Sequence, residues 1–359
     1  MKKTLLIIIY FLSSLLALNC DYCQNKIRNT YITHDSKSYH EECYDKNIAL
    51  NCSICKNQIK GVYVTHDSKP CHIKCYDSYF APKCNFCGLI IGANTIYNTK
   101  GDRKYHKKCF EENILPKCSI CKLPITGDFF NDSWGNSYHK SHDNFNCNSC
   151  GRIISQNTSN GGFQLLGNRA ICTFCDSNAV KTNIEIENSR ELVLLLLKKV
   201  GFLEISGDIP INIVNKKTIC DLSVNRNCED HEGLTHYKYT YDAVTNKKIS
   251  IENTIYIIDY LHELNFASTL AHEYLHVWLN KNNIEYPKPI IEGFCNLGAA
   301  LIYKNYSGKF SEVKLDQMFK NPDPNYGAGF RKMDTCLEKY GWKVLIDKMK
   351  NNDELLCFD

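Results

Sequence analysis

The feature that most constrains the fold is a series of paired cysteines in the first half of the chain. The segment 31–45 (YITHDSKSYHEECYD) is nearly duplicated 32 residues later at 63–77 (YVTHDSKPCHIKCYD). Five C-x2-C pairs occur in all, and each is followed after 16 to 21 residues by a second pair of histidines or cysteines. The opening pairs are Cys20/Cys23, Cys52/Cys55, Cys84/Cys87, Cys118/Cys121 and Cys147/Cys150, and the closing pairs are His40/Cys43, His72/Cys75, His106/Cys109, His139/His142 and Cys172/Cys175.

Two close pairs of thiol or imidazole donors, joined by a loop that can fold back, suit the tetrahedral coordination of structural zinc. Five such sites use 15 of the 21 cysteines. A disulfide framework is the alternative, but it would not need the histidine that recurs at the same position in four modules. A redox role for a single C-x2-C is disfavoured because five copies in register describe a scaffold. We therefore expect up to five structural zinc ions, with Cys71 outside the pattern.

The first 19 residues have the pattern of a secretory signal peptide. Lys2 and Lys3 precede an apolar run at 5–11 and a second apolar stretch that ends at Ala17. A membrane anchor is disfavoured because the run is short for a spanning helix and no stop-transfer pattern follows. Lipid attachment at Cys20 is also disfavoured, because Asn19 stands where a small residue is expected. We expect a mature chain that has no transmembrane segment and is secreted, periplasmic or at the cell surface.

Charge argues against nucleic acid as a partner. The formal net charge of +4 counts every thiol as neutral. With the thiolates and zinc ions of five sites included, the balance falls to about −1. A protein that binds a polyanion would be expected to keep a basic surface after its metals load.

A zinc site of another kind is predicted after Cys175, where the cysteine pairs end. The segment 266–280 (FASTLAHEYLHVWLN) has a helical apolar rhythm and contains the H-E-x-x-H arrangement His272, Glu273 and His276. Histidines four residues apart share one helix face and can hold one zinc ion, with Glu273 directed toward the attacking water as general base. A catalytic zinc needs a third protein ligand.

The third ligand is expected from the next predicted helix, at 290–304. Glu292 is its only acid, and a lone carboxylate on an apolar helix is costly to bury unless it meets a cation. Asn296, one turn later, is predicted to hydrogen-bond a ligand histidine. The segment 251–260 is predicted to be a strand, and in zinc peptidases such a strand often lies beside the active helix and pairs with an extended substrate, which we expect here. The apolar run 192–197 is predicted to be a core helix, with a capping box at Asn188 and Glu191 and a stop at Gly201.

Two parts of the sequence resemble known families. The fourth and fifth modules, which carry KCSICKLPITGDFF, SYHKSH, FNCNSCGRII and ICTFC, are only four residues apart and resemble a LIM domain. The first three modules have eight-residue gaps and resemble LIM half-units in series. The blocks LNFASTLAHEYLHVWL, IEGFCN and NYGAGFR resemble the gluzincin-like peptidase domain of the plant LIM-domain peptidases that restrict organ growth. That similarity extends over about 117–356.

The resemblance implies that His272, His276 and Glu292 are zinc ligands and that Glu273 is the general base. Tyr326 and Arg331 lie in the third block, which implies contact with the substrate or the oxyanion. The other candidate donors to the oxyanion are His231, His236 and His262. A signal peptide stands where the plant proteins have ubiquitin-interacting helices, so ubiquitin dependence and the cytoplasmic substrates are not transferred.

The remaining cysteines do not indicate a nucleophile, since spacing alone identifies no partner histidine. Cys220 and Cys228 are candidates for a disulfide bond outside the cell. The other three, Cys295, Cys336 and Cys357, are expected to be buried or unpaired.

With 359 residues, 43% hydrophobic and 23% charged, the chain is long and apolar enough for two or three domains, which excludes a disordered or collagen-like protein. We predict an α+β multidomain protein with a signal peptide (1–19), three tandem half-LIM modules (20–112), a LIM-like double module (113–178) and a mainly helical zincin-type peptidase domain with a small sheet (179–359).

The predicted function is a secreted zinc metalloendopeptidase that hydrolyses a protein substrate and uses its LIM-like modules to bind a protein partner. One alternative is a secreted binding scaffold with an inactive peptidase-like domain, which would not need Glu273. The other is a purely structural cell-surface array, which would leave Glu292 unexplained.

Overall fold

The computed structural model describes residues 18–142, 145–165, 167–205, 208–223, 228, 231–241, 248–355 and 357. The chain divides into two compact units, one up to Leu115 and one from Pro116 onward. Residues 1–17 of the predicted signal peptide lie outside the described part of the chain. Among the described helices, all are too short or too polar to cross a bilayer. The fold is α+β, with small hairpin sheets followed by a helical C-terminal region.

The first unit repeats one small module three times. Each module has a C-x2-C turn closed by an isolated bridge, then an antiparallel hairpin, then a seven-residue helix. Each hairpin ends on the predicted histidine ligand, and the helix that follows carries the next cysteine in its first turn. The elements are β1 (Tyr31–His34), β2 (Lys37–His40), α1 (Glu41–Asn47), β3 (Tyr63–His66), β4 (Lys69–His72), α2 (Ile73–Tyr79), β5 (Tyr97–Lys100), β6 (Arg103–His106) and α3 (Lys107–Asn113).

Cys71 is explained by this repeat. It is buried at the strand position that Tyr39 and Tyr105 occupy in the other two modules. Its Sγ lies 2.9 Å from the hydroxyl of Ser53. Cys71 is therefore a core residue of the second module.

The second unit begins with two modules that pack on each other. Their elements are β7 (Phe129–Asn131), β8 (Ser137–His139), α4 (Gln156–Ser159), β9 (Gly162–Gln164), β10 (Ala170–Cys172) and α5 (Thr173–Ser177). Ile125 and Tyr138 of the first module and Ile153 of the second share one small core. Across the same junction, the Asn157 amide donates to the carbonyl of Ile120 at 2.8 Å. The two modules therefore form one packed pair.

The C-terminal region has six further helices and one sheet among the described residues. The elements are α6 (Asn183–Val200), β11 (Ile211–Val214), α7 (Lys216–Leu222), β12 (Gly233–Tyr241), β13 (Lys248–Ile258), α8 (Glu263–Lys281), α9 (Lys288–Asn305), α10 (Lys309–Lys320), a π-helical turn (Pro324–Ala328) and α11 (Gly329–Lys350). The strand order is β11-β13-β12, with β11 parallel and β12 antiparallel to β13. Helix α8 packs against α6, α9 and this sheet.

Helix α8 is buried on nearly every side, as expected of a helix that is apolar around its circumference. Phe266, Tyr274 and Trp278 are among its fully buried side chains, and burial of the apolar Phe266 contributes about 1.5–3 kcal/mol. The ring of Trp278 packs against Phe202 and Phe294 at centroid distances of 5.2 and 5.7 Å. The helix that carries the H-E-x-x-H residues is therefore held rigidly.

The core helix predicted around 192–197 is confirmed as α6, which Gly201 ends in a left-handed conformation. The predicted capping box is wrong. Thr182 and Glu185 form it instead, because the N-cap of the helix lies six residues earlier than Asn188, and both Asn188 and Glu191 lie inside the helix.

The disulfide prediction is half right. Cys220 and Cys228 form the predicted bond. The expectation that Cys336 and Cys357 are buried or unpaired is wrong for Cys357, which is half-buried and forms a second disulfide with the buried Cys336, because the chain after α11 returns to that helix and brings their Cα atoms to 5.3 Å. Cys295 is buried and free, as expected.

Candidate metal centres

Five clusters of four donor atoms each could hold a metal ion, since the donors of each cluster lie within 4.8 Å of one another. All twenty predicted ligands of the modules are brought together in the predicted sets. The clusters are Cys20/Cys23/His40/Cys43, Cys52/Cys55/His72/Cys75, Cys84/Cys87/His106/Cys109, Cys118/Cys121/His139/His142 and Cys147/Cys150/Cys172/Cys175. The fifteen cysteines in them are free thiols, which does not support the disulfide alternative.

One histidine in each of the first four clusters, His40, His72, His106 or His139, has the same orientation, whereas His142 directs its Nε2 toward Nδ1 of His139. Nε2 of His40 lies 3.2 Å from the carbonyl of Lys26, while its Nδ1 lies 3.3 Å from Cys23 Sγ. His72, His106 and His139 repeat both contacts. Because the carbonyl accepts the Nε2 proton, Nδ1 is left with a lone pair that faces the thiols. Each of these histidines is therefore oriented to ligate through Nδ1.

The first cysteine of each of these four clusters has a lowered pKa, which favours its thiolate form. Burial opposes the charge, but backbone N–H groups of the C-x2-C turn and of the histidine strand lower the pKa of Cys20, Cys52, Cys84 and Cys118 to about 6. A thiolate is the form that binds a metal ion. These clusters therefore offer a ligand anion at neutral pH.

The fifth cluster consists of four buried thiols. Cys150 Sγ and Cys172 Sγ are 3.8 Å apart, too far for a bond and close enough to share one ion. Mutual contacts among the four sulfur atoms lower the pKa of Cys147 and raise that of Cys175. A tetrathiolate of this kind carries a formal charge of about −2 when a divalent ion is bound.

A sixth group of donors is assembled by α8 and α9. The Nε2 atoms of His272 and His276 are 3.1 Å apart. Glu292 Oε2 lies 3.4 Å from the first and 3.5 Å from the second. The same oxygen is buried and accepts no hydrogen bond from any residue that the structure describes. A cation among the three side chains would satisfy this oxygen, so the donor set fits a metal ion.

The ionised forms of these three side chains stabilise one another. Burial opposes ionisation of both histidines, but the Glu292 carboxylate raises the pKa of His272 and of His276. Burial likewise opposes the charge on Glu292, and the two imidazoles lower its pKa. The buried carboxylate of Glu292 therefore favours a positive charge among the three side chains.

Asn296 fixes the orientation of His272, as predicted. The Nδ1–H of His272 donates to Asn296 Oδ1 at 2.9 Å, so its Nε2 faces the other donors. The amide of Asn296 in turn donates to the carbonyl of Tyr326 at 2.9 Å. His272 thus presents Nε2, whereas His40, His72, His106 and His139 of the cysteine clusters present Nδ1.

Glu273 accepts a hydrogen bond from a residue of strand β12, a contact that was not predicted from the sequence. The hydroxyl of Thr235 on β12 donates to Glu273 Oε2 at 2.7 Å. Two residues earlier, a side chain at Gly233 would bring its Cβ to 2.6 Å from Glu273 Oε1 and 2.7 Å from Thr269. The glycine therefore allows β12 to approach α8 closely enough for the hydrogen bond to form. The only feature of the sequence that could have indicated this close approach of β12 to α8 is the glycine at the start of the strand.

Tyr326 is brought to the trio by the π-helical turn. Its ring stacks near that of His272 at a centroid distance of 6.4 Å. Burial and the neighbouring carboxylates of Glu292 and Glu273 raise the pKa of its hydroxyl well above the usual value. Tyr326 is therefore a proton donor and not a phenolate at neutral pH.

Arg331 is not in a position to serve the site. Its guanidinium donates to the carbonyls of Phe319 and Asn321, where it caps the end of α10. The expectation that it contacts a substrate is therefore not supported.

The three candidate histidines differ in position. His231 lies close enough to Glu273 and Glu292 for their charges to affect it, although burial and Lys216 keep its pKa low. His236 is exposed, on the strand residue next to Thr235. His262 is buried at the start of α8 between Phe174 and Phe310, so it belongs to the core.

The predicted substrate-pairing strand is present, but the proposed pairing is wrong. The segment 251–260 forms most of β13, which is the central strand of the sheet and pairs with β12 along its length and with β11 at Ile255–Ile258. The strand with an open edge beside α8 is β12.

No protein-family model matches the sequence, and no match was found among curated proteins.

Proposed function

We propose that the chain is a secreted, zinc-dependent metallopeptidase that cleaves a protein substrate. The observation that carries the proposal is the convergence of His272, His276 and Glu292 around one point, with a buried carboxylate oxygen that no hydrogen-bond donor in the described part of the chain satisfies. Glu273, the acid of the H-E-x-x-H arrangement, is buried next to this point. A structural site would not need that additional acid.

His272, His276 and Glu292 would hold the zinc ion. When bound, zinc supplies Lewis-acid chemistry, which makes water a competent nucleophile near neutral pH and polarises a carbonyl. Asn296 keeps the Nε2 atom of His272 directed inward.

The chain's own groups would move the protons. Glu273 would accept a proton from the attacking water and deliver it to the leaving amine. Thr235 keeps one oxygen of Glu273 fixed through a 2.7 Å hydrogen bond, which leaves Oε1 for this transfer. Tyr326 would donate its hydroxyl proton in a hydrogen bond to the developing oxyanion.

The rest of the chain supports secretion and protein binding. Two disulfide bonds are typical of an oxidising compartment. The first unit exposes several large apolar side chains, which are typical of protein-binding surfaces. They include Tyr79, Phe86, Leu89 and Ile96.

The test is Glu273→Gln in the full chain, assayed on an unstructured protein. The amide keeps the size of the side chain but cannot accept the proton, so we expect hydrolysis to fall by at least about 1000-fold. Zinc content and the thermal unfolding midpoint should stay at the wild-type values. Hydrolysis at the wild-type rate would reject the assigned base.

A further inference from the structure

The fifth cluster, Cys147/Cys150/Cys172/Cys175, is packed against the C-terminal helices. Lys314 on α10 donates from Nζ to the carbonyl of Ser149, which lies between Cys147 and Cys150, at 3.1 Å. One turn later, the amide of Gln317 donates to the carbonyl of Cys150 at 3.3 Å. Gly151 has a left-handed φ of +76°, and a Cβ there would meet the Gln317 amide at 2.6 Å. Helix α10 is therefore fitted to the backbone of the cluster.

The same cluster also fixes the start of α8. The buried Ser149 hydroxyl accepts a hydrogen bond from the backbone N–H of His262 at 3.0 Å. His262 Nδ1 then caps the helix by accepting from the N–H of Leu264 at 3.2 Å. Just before this cap, Arg169 of the same module forms an ion pair with Asp259. The helix that carries Glu273 therefore begins on the metal-binding module.

A buried polar network continues from this contact toward Glu273. Asn265, on the first turn of α8, accepts a hydrogen bond from the Tyr303 hydroxyl at 2.6 Å. Its amide donates to both carboxylate oxygens of Glu232 at 3.1 Å. Glu232 directly precedes β12, the strand whose Thr235 holds Glu273. Glu232 therefore fastens the start of β12 to the start of α8.

Lys314 joins the fifth cluster to the start of α8 through Ser149. Its Nζ donates to the Ser149 carbonyl, and the Ser149 hydroxyl accepts from the backbone N–H of His262. Although burial opposes the charge of Lys314, the carboxylate of Glu232 raises the pKa of its amine. A loaded fifth cluster would be a buried anion of about −2, and such a charge is costly to bury unless a cation lies nearby. Lys314 supplies a cation at the backbone of this cluster.

We propose that Lys314 is a positioning residue that links the fifth cluster to α8 and β12 around Glu273. The inference rests on the proposed peptidase function. It assigns the fifth cluster to the support of the catalytic site and not to partner binding. A metal ion in this cluster would then affect catalysis without contacting the reacting atoms. Lys314 itself does not touch the substrate.

The test compares three variants of the full, zinc-loaded chain. Lys314→Met removes the charge and keeps the length of the side chain, Lys314→Arg keeps the charge, and Lys309→Met removes an exposed lysine from the same helix as a control. The first measurement is the rate at which zinc passes to a chelating dye. The second is kcat and KM for peptide hydrolysis.

We expect Lys314→Met to speed the release of one zinc ion per chain by about tenfold and to lower kcat by about tenfold, with KM within twofold of wild type. Lys314→Arg should restore both values, and Lys309→Met should change neither. Far-ultraviolet circular dichroism should be the same for all variants. Unchanged zinc release, or unchanged kcat with faster release, would overturn the proposal.

The two readouts separate this inference from the proposed function. If the wild-type chain hydrolyses no peptide, the peptidase proposal fails. The kinetics of zinc release would then still decide whether Lys314 stabilises the loaded cluster, and the positioning role would fall with the peptidase.

Discussion

The hydroxyl of Thr235 lies 2.7 Å from Oε2 of Glu273, so the proposed general base is held by a residue 38 positions earlier in the chain. Thr235→Val keeps the shape of the side chain and removes this donor. We expect kcat for peptide hydrolysis to fall by about tenfold, the effect of losing one hydrogen bond to a charged group. Thr235→Ser, which keeps the hydroxyl, should retain most of the activity. Equal kcat values for the valine and serine variants, at full zinc content, would contradict this role.

Asn296 should control the affinity of the sixth site for metal. Removing its oxygen in Asn296→Ala frees the Nδ1–H of His272, so the ring loses its fixed orientation. Loss of such a support typically weakens metal binding by about 10- to 100-fold. The measurement is a competition titration of the sixth zinc ion against a dye of known affinity.

A matched control lies on the same helix. Asn305→Ala removes an amide near the end of α9 that donates to the carbonyl of Leu301 in its own helix. Its zinc affinity should equal that of the wild type. A similar loss in both variants would mean that general damage to α9, and not the orientation of His272, sets the affinity.

His262 should make the stability depend on pH. Burial and the charge of Lys314 lower its pKa from the ordinary 6.5 to about 4 in the folded chain. Between these values the unfolded chain binds a proton that the folded chain does not, so stability falls as the pH falls from about 6.5 toward 4. Between pH 7.5 and 5.5, this group should cost roughly 1 kcal/mol.

The comparison for this effect is His262→Phe, measured by chemical unfolding of the zinc-loaded chain at both pH values. The variant keeps an aromatic ring between Phe174 and Phe310 but loses the helix cap, so it should be about 1 kcal/mol less stable at pH 7.5. At pH 5.5 this difference should largely disappear. A constant difference at the two pH values would show that His262 is not responsible.

The disulfide between Cys336 and Cys357 should stabilise the C-terminal region. It closes a loop of 21 residues between α11 and the chain that follows it. Restricting a loop of that length in the unfolded state is worth about 3 kcal/mol. We expect the double variant Cys336→Ala, Cys357→Ala to lose about this amount in the free energy of unfolding. Cys295→Ala, at a buried free thiol, provides a control for the loss of sulfur alone.

Local patterns predicted the ligands but not the residues that support them. The cysteine pairs and the H-E-x-x-H histidines are short-range features, since a tight turn or one helical turn is enough to bring each pair together. Glu292 could be identified because it is the only acid on an apolar helix. Thr235 could not, because its partnership with Glu273 depends on how the sheet packs on α8. The pairing of Cys336 with Cys357 and the role of Lys314 depend on tertiary contacts of the same kind.

The most direct test of the account is to count the zinc ions bound to the purified full chain and to the double variant His276→Ala, Glu292→Ala. The five cysteine clusters and the trio of His272, His276 and Glu292 predict six ions in the wild type. The variant should hold five and should hydrolyse no peptide. Five ions in both proteins would contradict the assignment of a metal to the trio, and with it the proposed peptidase.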